Sequence, residues 1–146
     1  SEILAALAVF VPVMTGEAGN AATQSLAVVV RGLATGEMRA REMWSIVLRE
    51  SRTGMLVGVP CGILLWLVVV LSQGNTIAGL VAGLALAANM LVACSLGALF
   101  PVIIKRIGFD PAVASGPFIT TLTDVVSMFI YFTLAGLFLA PLFRVG

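Results

Sequence analysis

The chain has 146 residues, 60% of them hydrophobic and only 10% charged, with a net charge of +1. Soluble globular domains are about half apolar and about one-quarter charged, so this chain has too few polar side chains to cover a surface in water. The charge is too low and too scattered for nucleic-acid binding. There is no His, and Cys61 and Cys94 lie in apolar runs, which argues against the usual zinc and iron–sulfur sites. The composition indicates a single domain, residues 1–146, embedded in lipid.

Four apolar stretches are long enough to cross a bilayer, since a crossing needs about 20 residues. They cover approximately residues 3–33, 55–71, 77–104 and 112–143. The first and fourth are longer than a straight crossing and contain Pro and polar residues, which favours tilted or interrupted helices that line a cavity. The predicted fold class is therefore all-α, a polytopic membrane helix bundle.

Positive residues predict the orientation of the bundle, because they favour the cytoplasmic side of a membrane. The loop of residues 35–53 contains four arginines, and Lys105 and Arg106 fall on the same side in a four-span arrangement. The loop is therefore placed in the cytoplasm, where Met43, Ile46 and Val47 would be the apolar positions of an amphipathic helix at the interface.

Small residues recur at helical spacing in the middle of the chain. Gly54, Gly58 and Gly62 are four residues apart, as are Gly79 and Gly83. In lipid, such positions allow helix backbones to approach closely, so they are expected at contacts between helices.

Asp124 lies inside the fourth apolar stretch, where an ionisable side chain is costly and requires water, a cation or a partner. Spacings of three and four place a stripe of polar residues and prolines around it on one helix face, opposite an apolar flank of Ile119, Val126, Ile130 and Leu134. The stripe consists of Pro117, Thr120, Thr121, Asp124, Ser127 and Tyr131. The alternative is an Asp that pairs with a neighbouring helix. Asn89, alone in the third stretch, is expected to hydrogen-bond between helices.

A second polar segment, residues 15–25, lies in the first stretch. One face of it contains Gly16, Asn20, Thr23, Gln24 and Ala27, and its glycines are expected to free backbone carbonyls. Oxygen ligands without His or Cys favour hard cations, and Mg²⁺ binds oxygen while it retains much of its water. The ligand types alone leave Mg²⁺, Ca²⁺, Mn²⁺ and Na⁺ open.

Two motifs in this order resemble the transmembrane domain of MgtE-type magnesium channels, over essentially all 146 residues. The first is Gly19, Asn20 and Gln24, followed by Val29, Val30, Arg31, Gly32 and Leu33. The second is Asp110, Pro111, Gly116, Pro117, Phe118, Thr120, Thr121 and Asp124. Ala18, Ala22 and Ser127 depart from the family pattern, in which glycine is common at these positions.

The resemblance implies a homodimer in the cell membrane, the inner membrane of a bacterium, with a pore at the subunit interface lined by the first and fourth spans. Asp124 would hold a hydrated Mg²⁺, the transported ion, assisted by carbonyls of residues 116–121. The expected metal-site residues are Asp124, Thr120, Thr121, Pro117, Gly116, Asn20, Gly19, Gln24 and Glu17. The family also has five spans and cytoplasmic regulatory domains, so an opening helix and those domains are expected to be missing here.

Several interpretations remain open at this stage. The leading one is a channel that passes Mg²⁺ into the cytoplasm; the alternatives are a carrier that exchanges Mg²⁺ for sodium or protons and a broader divalent-cation transporter. Glu17 either concentrates cations at the outer mouth or is a solvated residue at a helix break. An intramembrane enzyme is disfavoured because there is no His and Asp110 and Asp124 are the only aspartates. A purely structural membrane subunit is the last option.

Overall fold

The computed structural model of the protein describes residues 8–114 and 116–143, with only the backbone described in residues 139–143. This part of the chain contains four helices with described bounds and no strand. They are α1 (Val11–Thr35), α2 (Met43–Gln73), α3 (Thr76–Arg106) and α4 (Gly116–Phe143), with 3₁₀ turns at Ala40–Glu42 and Pro111–Val113. The prediction of an all-α helix bundle is confirmed.

Three segments of the described chain are long and apolar enough to cross a membrane. They are Ala40–Gln73, Thr76–Arg106 and Gly116–Phe138. Helix α1 has 25 residues, enough for a crossing. Its composition is less apolar because Glu17, Asn20 and Gln24 interrupt the hydrophobic sequence. The protein is therefore a polytopic membrane helix bundle in which one long helix is markedly polar.

The helix bounds agree with the predicted spans in the third stretch and differ in the others. Helix α3 begins and ends within two residues of the prediction, whereas residues 3–7 of the first predicted span lie outside the described residues. Helix α2 begins at Met43, so residues 43–53, predicted as part of a loop able to form an amphipathic helix, are helical but continuous with the second span. The helix continues through Gly54, whose missing side chain allows close packing against α3.

The expectation of interrupted helices is met near the start of the first and fourth spans. Ala8 is helical and residues 9 and 10 form a turn before α1, and the 3₁₀ turn Pro111–Val113 precedes α4. Helix α1 runs unbroken through Gly16 and Gly19, and α4 runs unbroken from Gly116. Pro12 and Pro117 each occupy the second residue of their helix, where no earlier turn needs the missing N–H. Each proline therefore lies just after a turn, at the start of a long helix that is itself unbroken.

Helix α3 is the central helix of the bundle and packs against each of the other three. Its contact with α1 is closest at Gly97, where an added Cβ would overlap the carbonyl oxygen of Ala22. On the α2 side, an added Cβ at Gly54 would lie 2.6 Å from the carbonyl oxygen of Met90. The predicted role of the glycines in helix packing is confirmed at Gly54, and Gly97 has the same role although it was not predicted.

Specific contacts fix the connection between α2 and α3 and the connection between α1 and α2. Helix α2 ends at Gly74 in the left-handed region with φ 66°, and Asn75 then begins α3 by accepting hydrogen bonds from the backbone N–H groups of Ile77 and Ala78. At the arginine-rich end, the Arg106 side chain donates to the carbonyl oxygens of Ala40 at 2.8 Å and Arg41 at 3.2 Å. The chain between α1 and α2 is thus fixed against the end of α3.

Gly97→Ala should destabilise the bundle, because the new methyl group has no room against the α1 backbone. Overpacking typically costs about 1–3 kcal/mol, which corresponds to a midpoint roughly 3–10 °C lower for a chain of this size. Thermal unfolding of the detergent-solubilised protein measures the change. Gly136→Ala in α4 is the control, since no atom lies within 4 Å of its added Cβ. An equal shift in both variants would contradict the packing argument.

Candidate metal site in the cleft between helices α1 and α4

A cleft of about 350 Å³ separates the first half of α1 from the first half of α4. It contains a carboxylate, an amide and several hydroxyl groups. The residues that line it are Pro12, Thr15, Gly16, Gly19, Asn20, Thr23, Thr120 and Asp124. The fold therefore brings the two polar segments predicted from the sequence together in one space.

Gly19 sets the distance between the two helices at the cleft. A Cβ added there would lie 3.2 Å from Cγ2 of Thr120 and 4.0 Å from Oδ1 of Asp124. Because glycine has no side chain, α4 can place the carboxylate of Asp124 against the backbone of α1. Gly19 therefore matters because it allows α4 to approach α1 closely. From the sequence, the glycines here are expected to free backbone carbonyls, but α1 is a continuous helix at this point.

Asp124 is a half-buried carboxylate that no other side chain neutralises. No described residue donates a hydrogen bond to it or forms an ion pair with it. It lies eight residues after Gly116, or about 12 Å along the helix at 1.5 Å per residue. The alternative that Asp124 pairs with a neighbouring helix finds no support in the described part of the chain. A carboxylate in this position requires water or a cation.

The hydroxyl groups in the cleft are oriented by their own helices. Thr23 Oγ1 donates to the carbonyl oxygens of Gly19 and Asn20, both at 2.9 Å. Thr120 Oγ1 donates to the carbonyl oxygen of Gly116 at 2.9 Å. With their single protons used in this way, these hydroxyls have only lone pairs left for a ligand. The cleft thus presents acceptors, which suits a cation or the O–H groups of its bound water.

The polar stripe of α4 does not face a single environment. Pro117 and Thr121 are exposed, whereas Ser127 and Tyr131 are buried, with exposed fractions of 2% and 0%. The expectation of one shared polar face is therefore wrong for its second half, which packs inside the bundle. There Asn89 Nδ2 donates to the backbone oxygen of Ser127 at 3.5 Å, the interhelical hydrogen bond predicted for it.

The carbonyls of Gly116 and Pro117 are already engaged. Each accepts a hydroxyl proton, from Thr120 and Thr121 respectively, at 2.9 Å. Both residues lie in the first turn of α4, so these carbonyls also belong to the helix. Their part in ion binding stays a prediction, and each of these carbonyls also orients a threonine hydroxyl.

Two of the predicted site residues lie on the opposite side of α1. Glu17 and Gln24 line a second cleft of about 210 Å³, between α1 and α2, while Asn20 lines both clefts. The full lining of this second cleft is Glu17, Asn20, Ala21, Gln24, Ser25, Val28, Glu50, Thr53, Val57, Met90 and Cys94. The structure therefore separates Glu17 and Gln24 from Asp124. Glu17 is exposed on an unbroken helix, so no helix break explains it.

Glu50 is a polar residue that sequence analysis assigned only to a charged loop. It is buried, with an exposed fraction of 6%, and lines the second cleft. The sequence does contain a signal, because Ile46, Glu50, Gly54 and Gly58 are four residues apart and all face inward. The four arginines among residues 35–53 led to the prediction of a cytoplasmic loop there, in which a buried Glu50 was not expected.

The architecture and the cleft together define a polytopic membrane protein with an unpaired carboxylate inside one of its helices. A sequence model of the MgtE family, described as a divalent cation transporter, matches residues 11–134. The chain belongs to the MgtE family. That family is one of transporters and not a class of enzymes.

Curated relatives extend the match over nearly the whole chain. Proteins named magnesium transporter MgtE from Bacillus subtilis and Enterococcus faecalis are 41% and 46% identical over 94% and 91% of this chain. The protein of that name from Thermus thermophilus is 36% identical over 94% of it. The chain spans about 30% of the length of these relatives.

The exposure of the α1–α4 cleft can be tested with thiol labelling. We expect Thr120→Cys, in a background of Cys61→Ala and Cys94→Ala, to react with a charged, membrane-impermeant thiol reagent, because Thr120 lines the cleft. Thr123→Cys is the matched control, since Thr123 is on the same helix with an exposed fraction of 1%. Mass spectrometry of the reconstituted protein measures labelling. Equal labelling at both positions would contradict a hydrated cleft confined to one face of α4.

Proposed function

We propose that this chain forms the ion-conducting membrane part of a magnesium transporter and passes hydrated Mg²⁺ through the α1–α4 cleft. The observation that carries the proposal is the unpaired carboxylate of Asp124, held against α1 among oxygen acceptors from both helices. The relatives named magnesium transporter MgtE support the choice of ion. The donor types suit a hard cation, for which oxygen is the preferred ligand.

The chemistry of Mg²⁺ supports a hydrated ion over a bare one in this cleft. Mg²⁺ prefers six oxygen ligands in octahedral geometry and gives up its water reluctantly. The cleft has a volume of about 350 Å³ and is open on one side, so water can accompany an ion there. The ion would be held through hydrogen bonds from its waters and not through direct protein ligands.

Each residue of the cleft has a separate part in this proposal. Asp124 attracts the ion and accepts hydrogen bonds from its waters, which are acidified and strong donors. Thr23 and Thr120 accept further hydrogen bonds through lone pairs oriented by their helices. The amide oxygen of Asn20 adds a neutral acceptor on the α1 side. Selectivity would follow from how these acceptors match the octahedral shell, as well as from charge.

The proposal places the pore between two copies of the chain in a bacterial cell membrane, with flow into the cytoplasm. The exposed residues beside the cleft are consistent with a subunit interface there. They include Gly16 and Ala27 on α1, and Pro117, Thr121 and Phe118 on α4. In such an arrangement a two-fold axis would bring two Asp124 carboxylates toward one pathway. Regulation by cytoplasmic domains of a longer protein belongs to the same proposal.

A channel is favoured over an exchanging carrier by the form of the helices. Many carriers bind their ions at unwound breaks within discontinuous helices. Helices α1 and α4, which line the cleft, are continuous. In this proposal the ion is held by side chains and ordered water, and no unwound backbone takes part.

Asp124→Asn should lower Mg²⁺ uptake about tenfold or more, because it keeps the size of the side chain but removes the charge that strengthens hydrogen bonds to bound water. The measurement is uptake into liposomes, followed with an internal fluorescent indicator, by the protein that carries this chain at its full natural length. Asp110→Asn is the matched control. It removes the same charge at an exposed turn and retains an oxygen for the cap on Ala112 N–H.

Three outcomes would count against the proposal. Equal uptake by wild type and Asp124→Asn would make Asp124 a structural residue. Equal losses in Asp124→Asn and Asp110→Asn would point to a general effect of charge. Absence of Mg²⁺ uptake by a correctly folded wild type, with uptake of Ca²⁺ or Mn²⁺ in its place, would make the protein a transporter of another divalent cation.

Electrical recording distinguishes a channel from a carrier. In planar bilayers with a Mg²⁺ gradient and no sodium or proton gradient, we expect discrete unitary currents whose reversal potential follows the Mg²⁺ gradient. An exchanging carrier would give no unitary steps, and its Mg²⁺ uptake into liposomes would depend on an opposing gradient of sodium or protons. That result would replace the channel mechanism while leaving the ion site in place.

A further inference from the structure

A single hydrogen bond between side chains connects α1 to α2 in the described part of the chain. Ser25 Oγ donates to Oε2 of Glu50 at 3.0 Å. The two helices otherwise have little direct contact, because the 210 Å³ cleft lies between them and α3 fills the space behind. Their remaining contact is apolar and lies nearer the arginine-rich end, where Ile46 packs with Val29 and Leu33.

Ser25 behaves unlike most of the hydroxyl residues in these helices. Thr15, Thr23, Ser51 and Thr120 each donate to a carbonyl three or four residues earlier in their own helix. That local bond is available to almost any helical Ser or Thr and satisfies the hydroxyl without a partner from another helix. The hydroxyl of Ser25 is instead directed to another helix, so this bond is specific to the tertiary arrangement.

The acceptor is a buried acid, which is costly unless its oxygens are satisfied. Glu50 has an exposed fraction of 6%, and Ser25 has one of 3%. The second oxygen of Glu50 lies 3.4 Å from Nε and Nη2 of Arg49, whose own side chain is largely exposed. Glu50 therefore connects Ser25, in the interior of the bundle, to the exposed Arg49. Glu50 does not line the α1–α4 cleft itself.

The position of Ser25 determines where the polar face of α1 points. Successive residues of an α-helix are rotated by about 100°. Thr23 is therefore about 160° from Ser25 around the helix, and Asn20 is about 140° from it. When Ser25 is held toward α2, Thr23 must face the opposite side, where Asp124 lines the α1–α4 cleft, and Asn20 lies between the two clefts and lines both. A change in the rotation of α1 would move both acceptors away from the carboxylate.

We infer that Glu50 is a positioning residue for the ion site: its bond to Ser25 sets the rotation of α1 and so aims Asn20 and Thr23 at the cleft that contains Asp124. The inference rests on the proposed function. Close packing against α3 and α4 sets the distance of α1 from its neighbours, at Gly97 and Gly19. The Ser25–Glu50 bond supplies the polar contact on the remaining side of the helix.

The test measures Mg²⁺ uptake over a range of Mg²⁺ concentrations in liposomes, with the protein at its full natural length. Glu50→Gln retains the shape and an acceptor oxygen but removes the charge, and Ser25→Ala removes the donor. Ser25→Ala should raise the half-saturating Mg²⁺ concentration by about tenfold, the order expected for loss of a hydrogen bond to a charged group, and Glu50→Gln should raise it by less because it weakens the bond without removing it. The maximal rate per folded protein should change much less, because Asp124 stays in place.

Two comparisons separate positioning from general stability. Ser51 is next to Glu50 in sequence, but its hydroxyl lies between α2 and α3, 2.6 Å from the hydroxyl of Ser95 and away from α1. Ser51→Ala removes that hydroxyl and should leave the half-saturating Mg²⁺ concentration unchanged. In an Asn20→Ala background, Glu50→Gln should add less than about a twofold further change, since residues that act through one another are not additive. A residue that only stabilises the fold would reduce the amount of folded protein in both backgrounds.

The inference is overturned if Glu50→Gln and Ser25→Ala both fold and keep the wild-type half-saturating concentration. It is also overturned if Glu50→Gln fails to fold while Ser25→Ala folds and transports as wild type does, or if Ser51→Ala has the same effect as Ser25→Ala. Loss of uptake in Asp124→Asn together with normal half-saturation in Ser25→Ala would retain the proposed function and reject only this inference. A wild-type protein that does not transport Mg²⁺ would reject both.

Discussion

Backbone contact between helices, at positions without side chains, is the constraint on which the rest of this structure depends. In lipid, apolar side chains gain little by leaving their solvent, so helices associate through close packing and polar contacts. Helix α3 meets α1 at Gly97 and α2 at Gly54, and in both places an added Cβ would collide with a carbonyl oxygen. At Gly19 the missing side chain instead lets the Thr120 and Asp124 side chains of α4 lie against α1. The cleft that contains Asp124 exists because that approach is possible.

Close packing also explains how the bundle tolerates an unpaired carboxylate. Asp124 is held beside α1 by a helix whose buried face, including Ile119 and Tyr131, packs into the core. The carboxylate cannot turn into the protein, where no described cation is available to it, so it remains at the cleft. Threonine hydroxyls tied to their own carbonyls leave mainly lone pairs there. An anionic group among acceptors is a stable arrangement only with water or a cation between them, which connects the packing of the helices to the proposed ion transport.

Sequence reasoning succeeded where a residue's role depends on its own helix and failed where it depends on a neighbour. The bounds of α3 and the polar face of α1 at Asn20 and Thr23 follow from hydrophobic length and helical spacing. The prolines of the first and fourth stretches left the position of the break open, because a proline at the start of a helix and one inside it look alike until the helix start is known. The burial of Glu50 was missed since its partner, Ser25, lies on another helix.

The sequence by itself determined that this protein is a helical membrane bundle, that Asp124 lies deep in an apolar helix, and that the chain resembles the MgtE family. These properties depend on composition, on the length of apolar runs and on local motifs, all of which are present before the chain folds. Only the tertiary structure decided that Glu17 and Gln24 lie on the other side of α1 from Asp124. It also decided that Ser127 and Tyr131 are buried. The physical reason is that helical spacing places residues around one helix, whereas the direction in which each face points is set by the helices packed against it.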